Sequence, residues 1–126
     1  MTWNKVVCIS SAPLSLERPS AGLAFLAGAC EEVGVDYEVF DLNLFLRNTY
    51  GMKVWNDMGS ASIHLSFQTH DQDLLNTMYE ACELAAQTVI DMAPDLIAIT
   101  SLSNQQVAWT YEFLKVLNRK NKTNIG

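Results

Sequence analysis

Small hydroxyl residues gather in two segments of this sequence, and they are its best candidates for contacting a ligand. Segment 10–22 begins Ser-Ser-Ala-Pro and includes Pro19 and Gly22, and segment 100–105 reads Thr-Ser-Leu-Ser-Asn-Gln. Hydroxyl groups can hydrogen-bond a ligand, but they also form turns and helix caps. Both interpretations stay open, because a helix N-terminus can be capped and still bind polar ligand atoms.

The sequence contains no catalytic or metal-binding motif with the required spacing. Cys8, Cys30 and Cys82 are widely separated, each within an apolar segment, so we expect buried free thiols. His64 and His70 are expected at the surface or at helix ends rather than on a metal. Without a nucleophile–base pair or a carboxylate pair, this chain is not expected to be catalytic alone.

Several common occupants of α/β sheets are excluded by the residues at the ends of the predicted strands. A dinucleotide site requires a glycine-rich loop after the first strand, but no glycine stands between Ser10 and Gly22. A phosphate-receiver domain needs carboxylates where Ser10 and Thr100 stand. Asp41, after the second strand, is interpreted as a turn residue or a helix cap.

Apolar strands alternate with helical patterns along the chain, which predicts an α/β fold with a parallel sheet. The strands are expected at 5–10, 37–41 and 95–100, and Thr123–Gly126 resembles the start of a fourth. We therefore expect a three-layer doubly wound (Rossmann/flavodoxin-like) sheet, truncated after the third or at the fourth strand, as a piece of a longer protein. Residues 1–126 form one partial domain in this interpretation, with a partly helical insertion at about 43–70.

Three helices have faces that the apolar spacing predicts to be buried. The first predicted face consists of Leu23, Leu26, Ala27, Cys30 and Val33. The long helix from Asp71 to Met92 has the face Leu74, Met78, Cys82, Ala85, Val89 and Met92. The last helix is expected to bury Val107, Tyr111 and Leu114.

Composition limits the classes of partner. The net charge is −6, and the one basic cluster, Arg119, Lys120 and Lys122, is typical of a solvated helix end, so nucleic acid is not an expected partner. Although 49% of residues are hydrophobic, no apolar run reaches the roughly 18–20 residues that span a bilayer. The start lacks the pattern of a signal peptide, so we expect a cytoplasmic protein with no membrane partner.

Three stretches resemble the N-terminal cobalamin-binding domain of cobalamin-dependent radical S-adenosylmethionine proteins. Residues 19–28 read PSAGLAFLAG and residues 34–43 read GVDYEVFDLN, similar to the family's P-P-x-G-L-x-Y-L-A-A and G-H-x-V-x-V-x-D. Residues 94–102, PDLIAITSL, are similar to P-D-V-V-G-I-S-x-L, with Thr100 at the serine position. The three stretches occur in the family's order and with its spacing, and the match as a whole covers most of residues 5–126.

The resemblance implies a cobalamin-binding module. The histidine motif that many of these domains place below cobalt is absent, so a base-off cobalamin without a protein histidine is expected. The nucleotide tail would lie between the sheet and the helices near 100–103, and the proline-bounded loop would line the corrin. The cofactor-contacting residues that it implies are Ser11, Ala12, Pro13, Pro19, Gly22, Thr100, Ser101, Leu102 and Ser103.

The iron–sulfur cluster and S-adenosylmethionine are expected only in a downstream radical domain, because the cluster motif C-x-x-x-C-x-x-C is absent here. The parent implied by the resemblance is a methyltransferase-like radical enzyme. One alternative is a non-catalytic corrinoid carrier or sensor domain. Another is an incomplete α/β fragment that acts only through protein–protein contacts, such as a homodimer formed through an exposed sheet edge.

Overall fold

The computed structural model describes residues 4–11, 21–63, 66–100 and 104–120, and every structural statement below concerns these residues. They form an α/β fold with a parallel three-stranded sheet and five helices. The elements in chain order are β1 Lys5–Ser10, α1 Ala21–Val33, β2 Asp36–Asp41, α2 Leu42–Tyr50, α3 Met52–Ala61, β3 Ser62–Ile63, β4 Ser66–Phe67, α4 Gln72–Asp91, β5 Leu96–Thr100 and α5 Asn104–Lys120.

The sheet has the strand order β2-β1-β5, with both pairs parallel. Strand β1 is central, and its side chains from Val6 to Ser10 are all buried. A continuous apolar run suits such a strand because helices cover both of its faces. The register pairs Ser10 with Asp41 on one side and with Thr100 on the other, so all three strands end at one edge.

Alternate residues of β1 join two different hydrophobic clusters, as the two-residue period of a strand requires. Val6 and Cys8 cluster with Leu23 of α1. Val7 and Ile9 belong to a larger cluster that includes residues of α2, α4 and α5. The chain therefore packs α1 against one set of β1 side chains and the remaining helices against the other.

Residues 42–67 form two short helices and a small antiparallel hairpin, β3–β4. The hairpin packs against α5, where Trp109 Nε1 donates a 2.7 Å hydrogen bond to Ser62 Oγ. In α3, Trp55 Nε1 donates a 2.7 Å hydrogen bond to Asn43 Oδ1. Tyr50 and Trp55 of this segment also pack against the larger hydrophobic cluster.

The long helix α4 confirms the predicted stripe. Asp71 is its N-cap, with Oδ1 accepting from the backbone N–H of Leu74 at 3.1 Å. Met78, Cys82, Ala85 and Val89 are fully buried, and the end members of the stripe, Leu74 and Met92, are partly buried. None of the described helices is both long and apolar enough to cross a membrane.

The prediction for the buried face of α5 was wrong. Tyr111 and Leu114 are exposed and Val107 is only partly buried, whereas Trp109 and Phe113 are fully buried. The sequence has apolar residues around much of this helix, so its spacing fits more than one face. The packing of α5 on α4 and the hairpin selects the Trp109 face, since the large rings bury more apolar area.

The end of α1 also differs from the prediction, because Val33 is 73% exposed. Leu23 is buried, and Leu26, Ala27 and Cys30 are partly buried. The exposed side chains of α1 are largely apolar, Phe25 among them, so spacing alone could not identify the face toward the sheet.

Candidate functional site

The ends of β1 and β5 lie side by side at the carboxyl edge of the sheet. Ser10 pairs with Thr100, and the backbone N–H of Ser11 donates to the carbonyl of Thr100 at 3.2 Å. The chain leaves β1 toward α1 and leaves β5 toward α5, so the two connections diverge from adjacent points. In doubly wound sheets this topological switch point is where ligands bind.

Three of the residues implied by the resemblance meet at this edge: Ser11, Gly22 and Thr100. The remaining six, Ala12, Pro13, Pro19, Ser101, Leu102 and Ser103, lie outside the described residues.

Gly22 brings the first turn of α1 into direct contact with Thr100. A Cβ atom built on Gly22 would lie 2.3 Å from Thr100 Oγ1 and 3.0 Å from Thr100 Cβ. Both distances are shorter than normal van der Waals contacts, so only glycine permits this approach of helix and strand. The glycine is therefore needed for packing at the switch point, whether or not a ligand binds there.

Ser11 is 1% exposed and takes part in a hydrogen-bond network with α5. Ser11 Oγ donates to the carbonyl of Gln106 at 3.2 Å, and Gln106 Nε2 donates to the carbonyl of Ser11 at 2.8 Å. Thr110 Oγ1 lies 2.9 Å from Ser11 Oγ and 2.8 Å from the Gln106 carbonyl. This network satisfies buried polar groups and holds α5 against the end of β1.

Gln106 and Thr110 were missed by the sequence reasoning. They are four residues apart, which places them on one face of α5, but the face predicted to be buried was that of Val107, Tyr111 and Leu114. The i, i+4 pair of hydrogen-bonding side chains beside Trp109 is a signal that could have found them.

Asp41 confirms its interpretation as a helix cap. Its Oδ1 accepts from the backbone N–H of Leu44 at 3.1 Å, at the start of α2. The carboxylate thus satisfies a helix N-terminus immediately after β2.

An apolar cavity of about 250 Å³ lies between α1 and the sheet, and we call it the α1 groove. Leu96 and Ala98 line it from β5. They lie four and two residues before Thr100, on the same face of the strand. The groove is lined by Val6, Cys8, Leu26, Ala29, Cys30, Val33, Val35, Leu96 and Ala98. Small residues such as Ala29 and Ala98 leave this space open.

A scan against protein-family models, a search of curated proteins and a search of solved structures each found no match to this chain. The support for any function of this chain therefore comes from the geometry of the switch point and of the α1 groove.

Within residues 4–11, 21–63, 66–100 and 104–120, no three His, Cys, Asp or Glu residues are grouped to hold a metal ion. His70 is exposed just before α4, and His64 lies outside the described residues. Of the three thiols, Cys8 and Cys82 are buried as expected, whereas Cys30 is partly exposed.

A second cavity, of about 360 Å³, lies between α4 and α5 and is lined by charged residues. Glu83 forms ion pairs with Arg119 and with Lys120, the latter at 3.1 Å, and Glu112 pairs with Lys115 at 3.1 Å. Because these charges pair with one another near the surface, the Glu83 pairs are interpreted as links between α4 and α5, and the Glu112–Lys115 pair as a contact within α5.

Proposed function

We propose that this chain is a cobalamin-binding module, the N-terminal part of a cobalamin-dependent radical S-adenosylmethionine enzyme. The observation that supports it best is the adjacency of the β1 and β5 ends, which brings Ser11, Gly22 and Thr100 to one switch point. Gly22 and Thr100 come from two separate stretches, 19–28 and 94–102, that each resemble the family. Catalysis would belong to the downstream radical domain, with its iron–sulfur cluster and S-adenosylmethionine.

The α1 groove is the site that we propose for the nucleotide tail of cobalamin. At about 250 Å³ it is smaller than the roughly 300–1,000 Å³ of pockets that hold whole drug-sized ligands. It would therefore receive part of a ligand, and an apolar slot between a helix and a sheet suits a flat heteroaromatic base. Thr100 follows Ala98 on the same face of β5, so its hydroxyl could contact the polar part of the tail.

The corrin itself would lie at the carboxyl edge, beside the segments that contain Ala12, Pro13, Pro19, Ser101, Leu102 and Ser103. No protein histidine is proposed below cobalt. His70 precedes α4, which packs with the cluster on the opposite side of β1 from the groove. A bound corrin should consequently show a base-off spectrum that a His70→Ala variant leaves unchanged.

The proposal also includes the arrangement of helices on both faces of the sheet. Helix α1 packs with Val6 and Cys8, while α4 and α5 pack with Val7 and Ile9, which supports a three-layer doubly wound arrangement. In the parent protein, further strands would extend the sheet beyond β5.

Titration with hydroxocobalamin tests the proposal, followed by gel filtration and the visible spectrum of the protein peak. Corrin that elutes with the folded protein and has an altered spectrum is the expected result. A folded protein that elutes without corrin would reject cobalamin binding by this chain.

An Ala98→Phe variant tests the location of the tail. The added ring should fill the α1 groove and abolish co-elution, while the groove gives it space without displacing α1 at Gly22. The matched control is Ala24→Phe, an exposed position on α1 that does not line the groove. Equal corrin retention by both variants would reject the groove as the tail site.

Exposed apolar side chains favour the alternative of a protein–protein contact module. Phe25 and Val33 of α1 are 77% and 73% exposed, although large apolar side chains are usually buried. In that function a second copy, or the downstream domain, would cover α1 or pair with a sheet edge. Phe25→Glu should then lower the self-association measured by light scattering, and it should leave corrin retention unchanged.

A further inference from the structure

Two of the three cysteines meet in the wall of the α1 groove. Cys8 lies at the middle of β1 and Cys30 near the end of α1, and their Sγ atoms are 4.0 Å apart. They are separated by 22 residues in sequence, so only the fold brings them together. The third, Cys82, is buried in the other hydrophobic cluster, with α4 and α5.

We propose that Cys8 and Cys30 are a redox-active dithiol, which a small disulfide such as oxidised glutathione converts to an intramolecular disulfide between β1 and α1. This inference does not depend on the proposed function. It rests on the distance between the thiols, on their shared position in an open groove, and on the anchoring of both elements.

The distance between the sulfur atoms is within reach of bond formation. A disulfide has a sulfur–sulfur length of about 2.05 Å, so each sulfur must move by about 1 Å, which side-chain rotation can supply. The α1 groove leaves space beside both thiols for that rotation. The backbone N–H of Val35 donates to the carbonyl of Cys30 at 3.0 Å, which fixes the end of α1 next to the sheet.

The two thiols have different exposures, and this sets the order of reaction. Cys30 is partly exposed, so its thiolate attacks the oxidised glutathione first, forms a mixed disulfide and releases one glutathione thiolate. Cys8 is 0% exposed, and its thiolate then attacks Cys30 Sγ and releases the second glutathione. The two protein thiols lose two protons and two electrons, and one oxidised glutathione becomes two reduced molecules.

Burial and the neighbouring Cys30 thiol raise the pKa of Cys8 to about 11, which agrees with its role as the second, slower nucleophile. Burial, followed by the nearby Glu112 carboxylate, raises the pKa of Cys82 to about 12. Cys82 is therefore expected to remain a thiol while the folded protein is oxidised.

The test treats the reduced, folded chain with oxidised glutathione and then counts thiols in denaturant. The count should fall from three to one, and the intact mass should fall by two hydrogen atoms with no glutathione attached. Circular dichroism should be unchanged, and dithiothreitol should restore all three thiols. A Cys82→Ser variant should form the same bond.

Peptide mapping identifies the bond. Trypsin is unsuitable because Pro19 blocks cleavage after Arg18, but a glutamyl endopeptidase cuts after Glu17 and Glu31 and separates the two cysteines. The non-reduced digest should contain a Cys8–Cys30 cross-linked pair. A Cys8→Ser variant should stop at the mixed disulfide on Cys30, since the second nucleophile is absent.

Three outcomes would overturn the proposal: three unmodified thiols after treatment, a stable mixed disulfide in the unchanged protein, or a cross-link that forms only in denaturant. The map of the unchanged protein decides the question even where a serine variant does not fold.

Discussion

Gly22 and Thr100 show how a single hydrogen in place of a side chain determines the position of a helix. Thr100 is β-branched and short, so it cannot move its Oγ1 away from an added Cβ at 2.3 Å without turning its whole side chain. The first turn of α1 is therefore held at the end of β5 by the absence of a Cβ at position 22. Gly22, which the resemblance implies as a cofactor-contacting residue, is thus also the position at which α1 packs against β5.

Gly22→Ala is expected to destabilise the protein by about 1–3 kcal/mol, because overpacking must displace α1 or Thr100. The matched control is Gly28→Ala in the same helix, where an added Cβ would have no neighbour within 4 Å. That control should stabilise the protein by about 0.5–1 kcal/mol, since alanine favours a helix interior over glycine. Urea unfolding measures both, and equal effects of the two variants would contradict the contact.

At the scale of an element, α4 combines a defined N-terminus with a buried stripe, which is why its sequence predicted it well. Asp71 accepts from the N–H of Leu74, and the stripe from Met78 to Val89 is fully buried. Helix α2 begins in the same way at Asp41. Because capping is a local interaction over three residues, it can be recognised without knowledge of the tertiary structure.

Asp71→Ala should reduce the free energy of unfolding by about 1 kcal/mol, because it leaves a backbone N–H of α4 without its cap. Asp57→Ala is the control, since Asp57 forms an exposed i, i+4 ion pair with Lys53 at 3.2 Å. Such pairs contribute only about 0.3–0.5 kcal/mol. Urea unfolding at neutral pH compares the variants, and a loss in Asp71→Ala no larger than in the control would argue against the cap.

Helix α5 illustrates the opposite case. Its buried face was predicted wrongly because apolar residues occur on several sides of the helix, and Tyr111 and Leu114 are exposed. The Trp109–Ser62 hydrogen bond and the packing against α4 select the actual face. Such contacts join residues distant in sequence, so a helical period cannot reveal them.

At the scale of the whole molecule, burial of thiols connects stability to pH. The pKa of Cys82 rises to about 12 and that of Cys8 to about 11, against an ordinary value of 9.0. The folded state therefore keeps protons that the unfolded state releases above pH 9. This contribution to stability is complete below pH 9 and is lost as the pH rises toward 11 for Cys8 and 12 for Cys82.

Under reducing conditions the free energy of unfolding should fall between pH 9 and pH 11, with Cys82 contributing about 1.4 kcal/mol per pH unit. Cys82→Ala should make this dependence less steep, because one shifted thiol is removed. The control Val89→Ala truncates another fully buried residue of α4. It should lower stability at every pH and keep the slope, so equal slopes in the two variants would contradict the effect of Cys82.

The sequence by itself determined the α/β class, the order of the main strands and helices, and the interpretation of Asp41 as a turn residue or a helix cap. These depend on local periodicity and on hydrogen bonds between near neighbours, which a single sequence contains. Only the tertiary structure decided that α5 buries Trp109, that Val33 is exposed, that Gln106 and Thr110 hold the end of β1, and that Cys8 meets Cys30. Each of these depends on a contact between elements far apart in the chain, where several arrangements satisfy the same apolar pattern and packing selects one.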